Sequence, residues 1–376
     1  MASQDVDPQR EVPADAFDER IIDLDFHMNP PEETLIQYVE DDVAREKFEN
    51  VEYGMAHRKA KWDAAWAIPG GNEGLFTQGR AEVASDVKLA AEKFAIDDPI
   101  VNVGINNAPT QHNPVQKNAI AQAANDFALD RIVPEDLHCL MMVPQWDVDY
   151  AVEEIHRVAD EDGIVGAYGW FGPFDLFGDT KFDPLFEALV EHDLPLVLHG
   201  SLSFWPQDTP YGDGMLTWTE ILGFDWPIHA MLTTVNAIMS GVFDKFPELD
   251  IVIEEGGHWW VPFVKYRMDE FYEMHPGDIK MHPRLHEMGQ ERLQRTPSEY
   301  LRENVYVTTQ PMAPPERSTD FEAMLDLSMA EDMFLYSSDW PHQTLDPATW
   351  AFTNRAFDED LRAAVLHENA EELFGI

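Results

Sequence analysis

Cysteine is almost missing from this chain. The single one, Cys139, excludes an internal disulfide framework and fits a reducing interior. Basic residues are scarce too: there are 25 Lys and Arg, and ten of them are Lys. No basic stripe exists to neutralise phosphates, which argues against a nucleic-acid partner. No uninterrupted apolar run approaches a membrane span. The first twenty residues, MASQDVDPQREVPADAFDER, have neither a basic nor an apolar region, so no signal peptide is expected and the predicted location is the cytoplasm. No dinucleotide glycine fingerprint follows the first strand, and no phosphate-binding P-loop occurs.

Negative charge is what the chain has in excess. Its 71 Asp and Glu give a net charge of −46, and they run along the whole length rather than forming a tail. Self-repulsion at this density strains a fold in dilute buffer. It is tolerable where molar salt shortens the screening length to about 3 Å. The composition therefore predicts a protein of a high-salt cytoplasm, as in a halophile, with an ordinary acidic protein as the plainer alternative. Hydrophobic residues make up 44% of 376, enough for a large core. The length suits a (β/α)8 barrel with insertions. Residues 1–18 read as an acidic mobile tail and 19–376 as one domain.

Eight short apolar runs alternate with helical patterns. The strands are predicted at Asp23–Met28, 99–105, Leu137–Val143, Ile164–Tyr168, Leu194–His199, Leu249–Glu254, Val305–Thr308 and Met333–Tyr336. Between them, helices are expected over Glu32–Trp66 (an excursion over the barrel mouth), Ala81–Phe94, Asn118–Leu129, Asp149–Ala159, Phe182–Glu191, His229–Phe246, Val261–Met274 and Leu361–Phe374. Residues 275–302 read as a charged helical excursion. The long aromatic loop 201–227, with Phe204, Trp205, Tyr211 and Trp218, reads as an ordered lid. Alternating strands and helices argue for a parallel α/β sheet, and eight repeats argue for its closure into a barrel.

Chemistry in such a barrel sits at the C-terminal strand ends. Strand alternation sends Asp25 and His27 to one side, where an oxygen and an imidazole nitrogen suit zinc or another first-row divalent metal. Alone, Asp-x-His is common and often structural. Three more strands, however, end in titratable groups: His199 on the fifth, Glu255 on the sixth and Asp339 on the eighth, each beside a Gly or Pro turn. Barrel closure brings the eighth strand beside the first, and so Asp339 near Asp25 and His27. His258 and His342 follow in the same turns. Trp170, Phe171, Trp205 and Trp340 could line a pocket for a planar substrate or simply pack. His112 reads as a solvated loop residue, Cys139 as core and Arg267 as an ion-pair partner.

At these positions the chain resembles the amidohydrolase superfamily, in the branch of aminocarboxymuconate-semialdehyde decarboxylase. The resemblance rests on Asp-x-His at 25–27, on Phe182-Asp-Pro-Leu-Phe-Glu-Ala before Leu-Pro-Leu-Val-Leu-His199, and on Gly241-Val-Phe-Asp-Lys-Phe-Pro-Glu-Leu. It continues through Glu255-Gly-Gly-His-Trp-Trp-Val-Pro, Thr296-Pro-Ser-Glu-Tyr, Ser338-Asp-Trp-Pro-His and Glu368-Asn-Ala-Glu-Glu-Leu-Phe. It implies metal ligands Asp25, His27, His199 and Asp339, with Asp339, Glu255 and His258 assisting catalysis and Trp170, Trp340 and His342 near substrate. Binuclear members use a strand-four Lys; this strand has none, so one metal is expected, zinc first, with manganese or another first-row metal as alternatives. Decarboxylation of a small unsaturated or aromatic carboxylic acid is the leading implication. The family's decarboxylases carry His where Glu255 stands, which keeps hydrolysis of a C–O or C–N bond open, with a carbonyl compound as substrate. A catalytically silent binding barrel is the third reading. A homodimer is implied by the resemblance alone.

Overall fold

The computed structural model describes residues 19–49, 81–103, 113–172, 176–200, 217–342 and 344–376. The expected tail, His112, Phe204, Trp205 and Tyr211 lie outside them.

Eight parallel strands form one sheet in sequential order: β1 (Ile22–Met28), β2 (Asp98–Val103), β3 (His138–Met142), β4 (Ile164–Trp170), β5 (Leu196–His199), β6 (Ile251–Glu254), β7 (Val305–Thr308) and β8 (Phe334–Leu335). The sheet closes on itself. Leu24 N–H donates to the Tyr336 carbonyl at 3.1 Å and His27 N–H to the Trp340 carbonyl at 2.8 Å, and Phe26 bridges to Trp340. This is a (β/α)8 barrel. Its strands are almost wholly buried because helices cover the outside and side chains fill the inside.

The main outer helices are α1 (Ala84–Phe94), α2 (Pro114–Arg131), α3 (Val148–Val158), α4 (Asp183–Glu191), α5 (Trp226–Met239), α6 (Val261–Met274), α7 (Ser318–Leu327) and α8 (Asn369–Phe374). Local chemistry starts several of them. Asn113 caps α2 by accepting from Val115 N–H at 2.9 Å, with Pro114 first in the helix. In α3, Ala151, Ile155 and Val158 form the buried stripe.

Three helices differ from the expectations. The predicted Glu32–Trp66 helix is broken into Glu32–Leu35 and Asp42–Glu49, and 50–80 lie outside the described residues. The predicted His229–Phe246 helix stops at Met239 and resumes at Val242. Between them Gly241 sits at φ +75°, where a Cβ would come within 2.7 Å of Leu285. The closing helix is also interrupted, by a wider turn over Ala364–Glu368. The excursion at 275–302 is anchored rather than loose. Arg284 is fully buried and donates to Asp183 Oδ1 at 2.9 Å, the Gly178 carbonyl at 3.0 Å and the Ser240 hydroxyl at 3.1 Å.

Candidate active site

β1 delivers the first two donors through an irregularity. Its register with β2 shifts by one residue between Asp23 and Phe26, so an extra residue is accommodated there. Such bulges re-aim side chains beside functional sites. Asp25 and His27 still meet, as two residues one apart in a strand are expected to: His27 Nε2 lies 3.0 Å from Asp25 Oδ1.

Barrel closure adds Asp339, whose Oδ1 is 3.1 Å from His27 Nε2. β5 adds His199, with Nε2 3.6 Å from Asp25 Oδ2 and 3.0 Å from Glu255 Oε2. All five side chains are buried. With His342 they fall into overlapping triads, Asp25–His27–His199, Asp25–Glu255–Asp339 and His27–Asp339–His342, with the potential ligand atoms of each within 4.8 Å of one another.

Close approach here is not hydrogen bonding. His27 Nε2, His199 Nε2 and Asp25 Oδ2 have no hydrogen-bond partner despite being buried. Donors about 2.0–2.1 Å from a shared cation stand roughly 3.0–3.4 Å apart, and three of the four separations at this site, 3.0, 3.1 and 3.0 Å, match that spacing, with the fourth at 3.6 Å. Two imidazoles and two carboxylates are also the donor chemistry of a first-row divalent ion. The residues fit a metal.

Each donor is held from behind. His199 Nδ1 donates to the Gly200 carbonyl, which leaves Nε2 for the site. Asn102 Nδ2 donates to Asp25 Oδ1 at 2.9 Å. Asp339 accepts from Gln310 Nε2 at 3.1 Å, from Thr344 Oγ1, and from His342 Nδ1 at 2.5 Å. Glu255 and Asp339 both adopt left-handed backbone, φ 54° and 60°, and Glu255 N–H donates to Thr308 Oγ1 at 3.2 Å.

Packing this many ionisable groups together moves their proton affinities. Burial opposes charge on His27, yet Asp25 and Asp339 outweigh it and raise the imidazole to about 10. His199 is raised well above its ordinary value in the same way, by Asp25 and Glu255. Burial, then the neighbouring Asp339, pushes Glu255 up to about 8. Burial also favours the charged form of neither Asp25 nor Asp339, but both are held low, Asp25 chiefly by His27 and Asp339 chiefly by His342. The carboxylates thus draw positive charge, a proton or a cation, onto the two imidazoles, which hold a metal only when Nε2 carries no proton, while Glu255 retains its proton near neutrality in the absence of a cation.

The other expected residues separate. His342 belongs to the cluster, its ring 4.2 Å from that of His27. Trp340 stacks on Phe26 at 4.7 Å and walls the β1–β8 seam. Trp170 is buried on β4 between Trp146 and Tyr168, with Nε1 unpartnered. His258 is turned away: Nε2 bonds the Met312 carbonyl at 2.9 Å and the ring packs against Phe334. Burial lowers it to about 4. Arg267 makes an exposed ion pair with Glu270, and Cys139 is core.

Sequence reasoning missed four groups around the donors. Glu254 is buried with neither carboxylate oxygen partnered, and Tyr168 Oη is likewise unpartnered. Asn102 and Gln310 orient two of the donors. Asn102 and Glu254 did carry a signal, since each is a lone polar side chain at or near the end of an apolar strand.

A family model described as amidohydrolase matches residues 97–376. The chain belongs to the amidohydrolase family. Among curated proteins, this amidohydrolase is 28% identical over 295 residues to gamma-resorcylate decarboxylase of Polaromonas sp. (strain JS666), covering 75% of this chain and 84% of that one. It is 29% identical over 283 residues to gamma-resorcylate decarboxylase of Rhizobium sp. (strain MTP-10005), covering 71% and 80%. Among solved structures, 5-carboxyvanillate decarboxylase of Novosphingobium aromaticivorans, complexed with manganese and 4-hydroxy-3-methoxy-5-nitrobenzoic acid, superposes with a TM-score of 0.73 at 20% identity over 98% of this chain and 99% of that one. That likeness carries the barrel fold. No helix among the described residues of the amidohydrolase is long and apolar enough to cross a membrane.

Proposed function

We propose that this amidohydrolase is a non-oxidative decarboxylase of an aromatic carboxylic acid, working with one divalent metal held by Asp25, His27, His199 and Asp339. The observation that carries the reading is the convergence of donors from β1, β5 and the end of β8, with buried imidazole nitrogens left unpartnered. The names of the curated relatives support the reaction class. Manganese in the similar structure makes it as good a candidate as zinc.

When bound, the cation would supply positive charge to hold a substrate carboxylate or phenolic oxygen. The chain's own residues supply the rest. Glu255, protonated near neutrality through burial, is the group that gives a proton to the ring carbon bearing the carboxylate. The C–C bond then breaks, its electron pair returns to the ring, CO2 leaves, and Glu255 takes a proton from solvent. Asp339, held by Gln310, Thr344 and His342, orients the substrate's reacting end and keeps Glu255 protonated by its charge. His258 supports the β6 turn rather than touching substrate. Trp170 and Trp340 form walls for a planar ring. The net charge of −46 and the lone cysteine support a high-salt cytoplasm as the setting.

The test combines metal content with CO2 release in molar KCl. One equivalent of zinc or manganese in the wild type, lost in His199→Ala, supports the mononuclear site. Release of CO2 from 2,6-dihydroxybenzoate or 5-carboxyvanillate, with one solvent deuteron in the product at the vacated carbon, supports the reaction. Glu255→Gln should retain the metal and lose about 10²–10⁴-fold in kcat. Metal retained in His199→Ala, or hydrolysis of lactones or esters without CO2 release from aromatic acids, would overturn the proposal.

A further inference from the structure

The barrel closes at an irregular seam, and that seam carries three of the four proposed metal donors, Asp25, His27 and Asp339. Two backbone bonds bracket it, Leu24 N–H to the Tyr336 carbonyl and His27 N–H to the Trp340 carbonyl. Between them β1 has two residues, Asp25 and Phe26, while the facing segment has three, Ser337, Ser338 and Asp339. A regular parallel ladder spaces its bonds evenly on both strands. Unequal counts break that spacing. Asp25 and Asp339 both lie inside the break, so the ladder alone does not set one against the other.

The side chain of Asp23 spans the break. Its Oδ1 accepts from Ser338 N–H at 2.9 Å and from Asp25 N–H at 3.2 Å. One amide belongs to a donor residue, and the other to the residue directly before a donor. Asp23 is 0% exposed, a setting in which a carboxyl group is costly unless it is bonded. Its Oδ2 has no hydrogen-bond partner. The residue after Asp339 is tied to β1 as well. Beyond its bond from His27, Trp340 donates N–H to Ser338 Oγ at 3.1 Å and stacks its ring on Phe26. Asp339 is therefore flanked on both sides by residues fastened to β1. Its left-handed backbone, φ 60°, is the kind that persists only where surroundings over-determine it. The 3.0 and 3.1 Å separations of Asp25 Oδ1 and Asp339 Oδ1 from His27 Nε2 are measured across this clamp.

We propose that Asp23 is a positioning residue for the metal: through the amides of Ser338 and Asp25, it sets the ligand that follows β8 against the ligands of β1. It acts from behind the donors and touches neither cation nor substrate. The inference rests on the ligand set proposed above, and it adds a residue that no donor list contains.

Mn(II) affinity of the full chain in 2 M KCl, read from the EPR signal of the unbound ion, tests this without recourse to turnover. Leu resembles Asp in shape but accepts no hydrogen bond, so Asp23→Leu should bind about 10–100-fold more weakly than the wild type. Asp23→Asn keeps an oxygen for the two amides and should bind within about fivefold of the wild type, a neutral acceptor being the weaker one. Should Asp23→Leu fail to fold, amide exchange in the metal-free wild type decides: Ser338 N–H should exchange as slowly as the bracketing His27 N–H. Equal affinity in Asp23→Leu and the wild type overturns the inference while leaving the ligand set intact. Equal losses in the Leu and Asn variants overturn it too, since charge rather than the bonds at Oδ1 would then matter. Free exchange at Ser338 does the same. A wild type that binds no Mn(II) or Zn(II) sinks the ligand set itself, and the role of Asp23 with it.

Discussion

Glu255 and Asp339 stand in left-handed backbone at the mouth of the barrel. Such a conformation costs on the order of 1–3 kcal/mol for a side chain other than glycine. It persists here because Thr308 holds the Glu255 amide, while Gln310, Thr344 and His342 hold the Asp339 carboxylate. A third acid in the same region carries a consequence for stability. Asp346 is half-buried near Asp339, its Oδ2 accepting from Met312 N–H at 2.9 Å, and loss of solvent around it raises it to about 7. An unfolded carboxyl titrates near about 3.9. Between these values the folded chain holds a proton that the unfolded chain has lost. The contribution is therefore complete below about pH 4, declines as pH rises to about 7, and is flat beyond. Asp346→Asn keeps an acceptor for Met312 and removes the titration. Urea unfolding in molar KCl should show the variant gaining on the wild type by on the order of 2–4 kcal/mol between pH 4 and 8. Parallel stability curves would show that Asp346 ionises normally. At this scale the sequence singled out Asp25, His27, His199, Glu255 and Asp339, and barrel closure brings these side chains together, because several strands ending in titratable groups point to one face of the barrel. Asn102 and Glu254 carried a weaker signal as lone polar residues in apolar strands, and Gln310, Thr344 and Tyr168 carried none, because their roles depend on which strands the barrel sets side by side.

Single elements were legible where one force dominates. Short apolar runs between Gly and Pro turns located all eight strands, with ends displaced by at most two residues. Elements shaped by contacts distant in sequence were not legible. The bulge in β1 depends on its pairing with β2 and on closure against Trp340. The break at Gly241 depends on Leu285, which arrives from the 275–302 excursion. Those residues look like a solvated charged segment in sequence, yet the guanidinium of Arg284 is wholly enclosed, and it fastens the segment to Asp183 at the start of α4 and to Ser240 beyond α5. Removing one member of a buried pair leaves the other uncompensated, typically at 3–5 kcal/mol. Lys245 Nζ also reaches Asp183, at 2.7 Å, and softens the loss. Arg284→Met should therefore cost about 3 kcal/mol in urea unfolding and expose 275–302 to early proteolysis. A loss below about 1 kcal/mol would mean that the segment is held by Leu285 and its apolar neighbours instead.

Across the whole molecule, 25 bases can neutralise at most 25 of 71 carboxylates one to one, and the remainder repel. That repulsion does not choose the fold, which the apolar strands and helix faces decide. It sets the conditions under which the fold persists. Raising KCl from 0.1 to 1 M shortens the screening length from about 10 Å to about 3 Å, less than the spacing of most surface charges. If repulsion is the main cost, thermal stability should climb steeply over this interval, on the order of 10 °C in Tm, and level off beyond it. Strengthened burial of apolar surface follows another course: it grows with each further increment of salt, more with sulfate than with chloride, and is reproduced by sucrose, which carries no charge. Melting at fixed protein concentration in KCl, potassium sulfate and sucrose separates the two, because dimerisation would otherwise add its own concentration dependence. A rise that saturates near 1 M KCl and is absent in sucrose assigns the salt requirement to the carboxylates. A Tm unchanged between 0.1 and 1 M KCl would mean that the acids are spaced widely enough to be tolerated without salt, and the high-salt reading of the composition would fail.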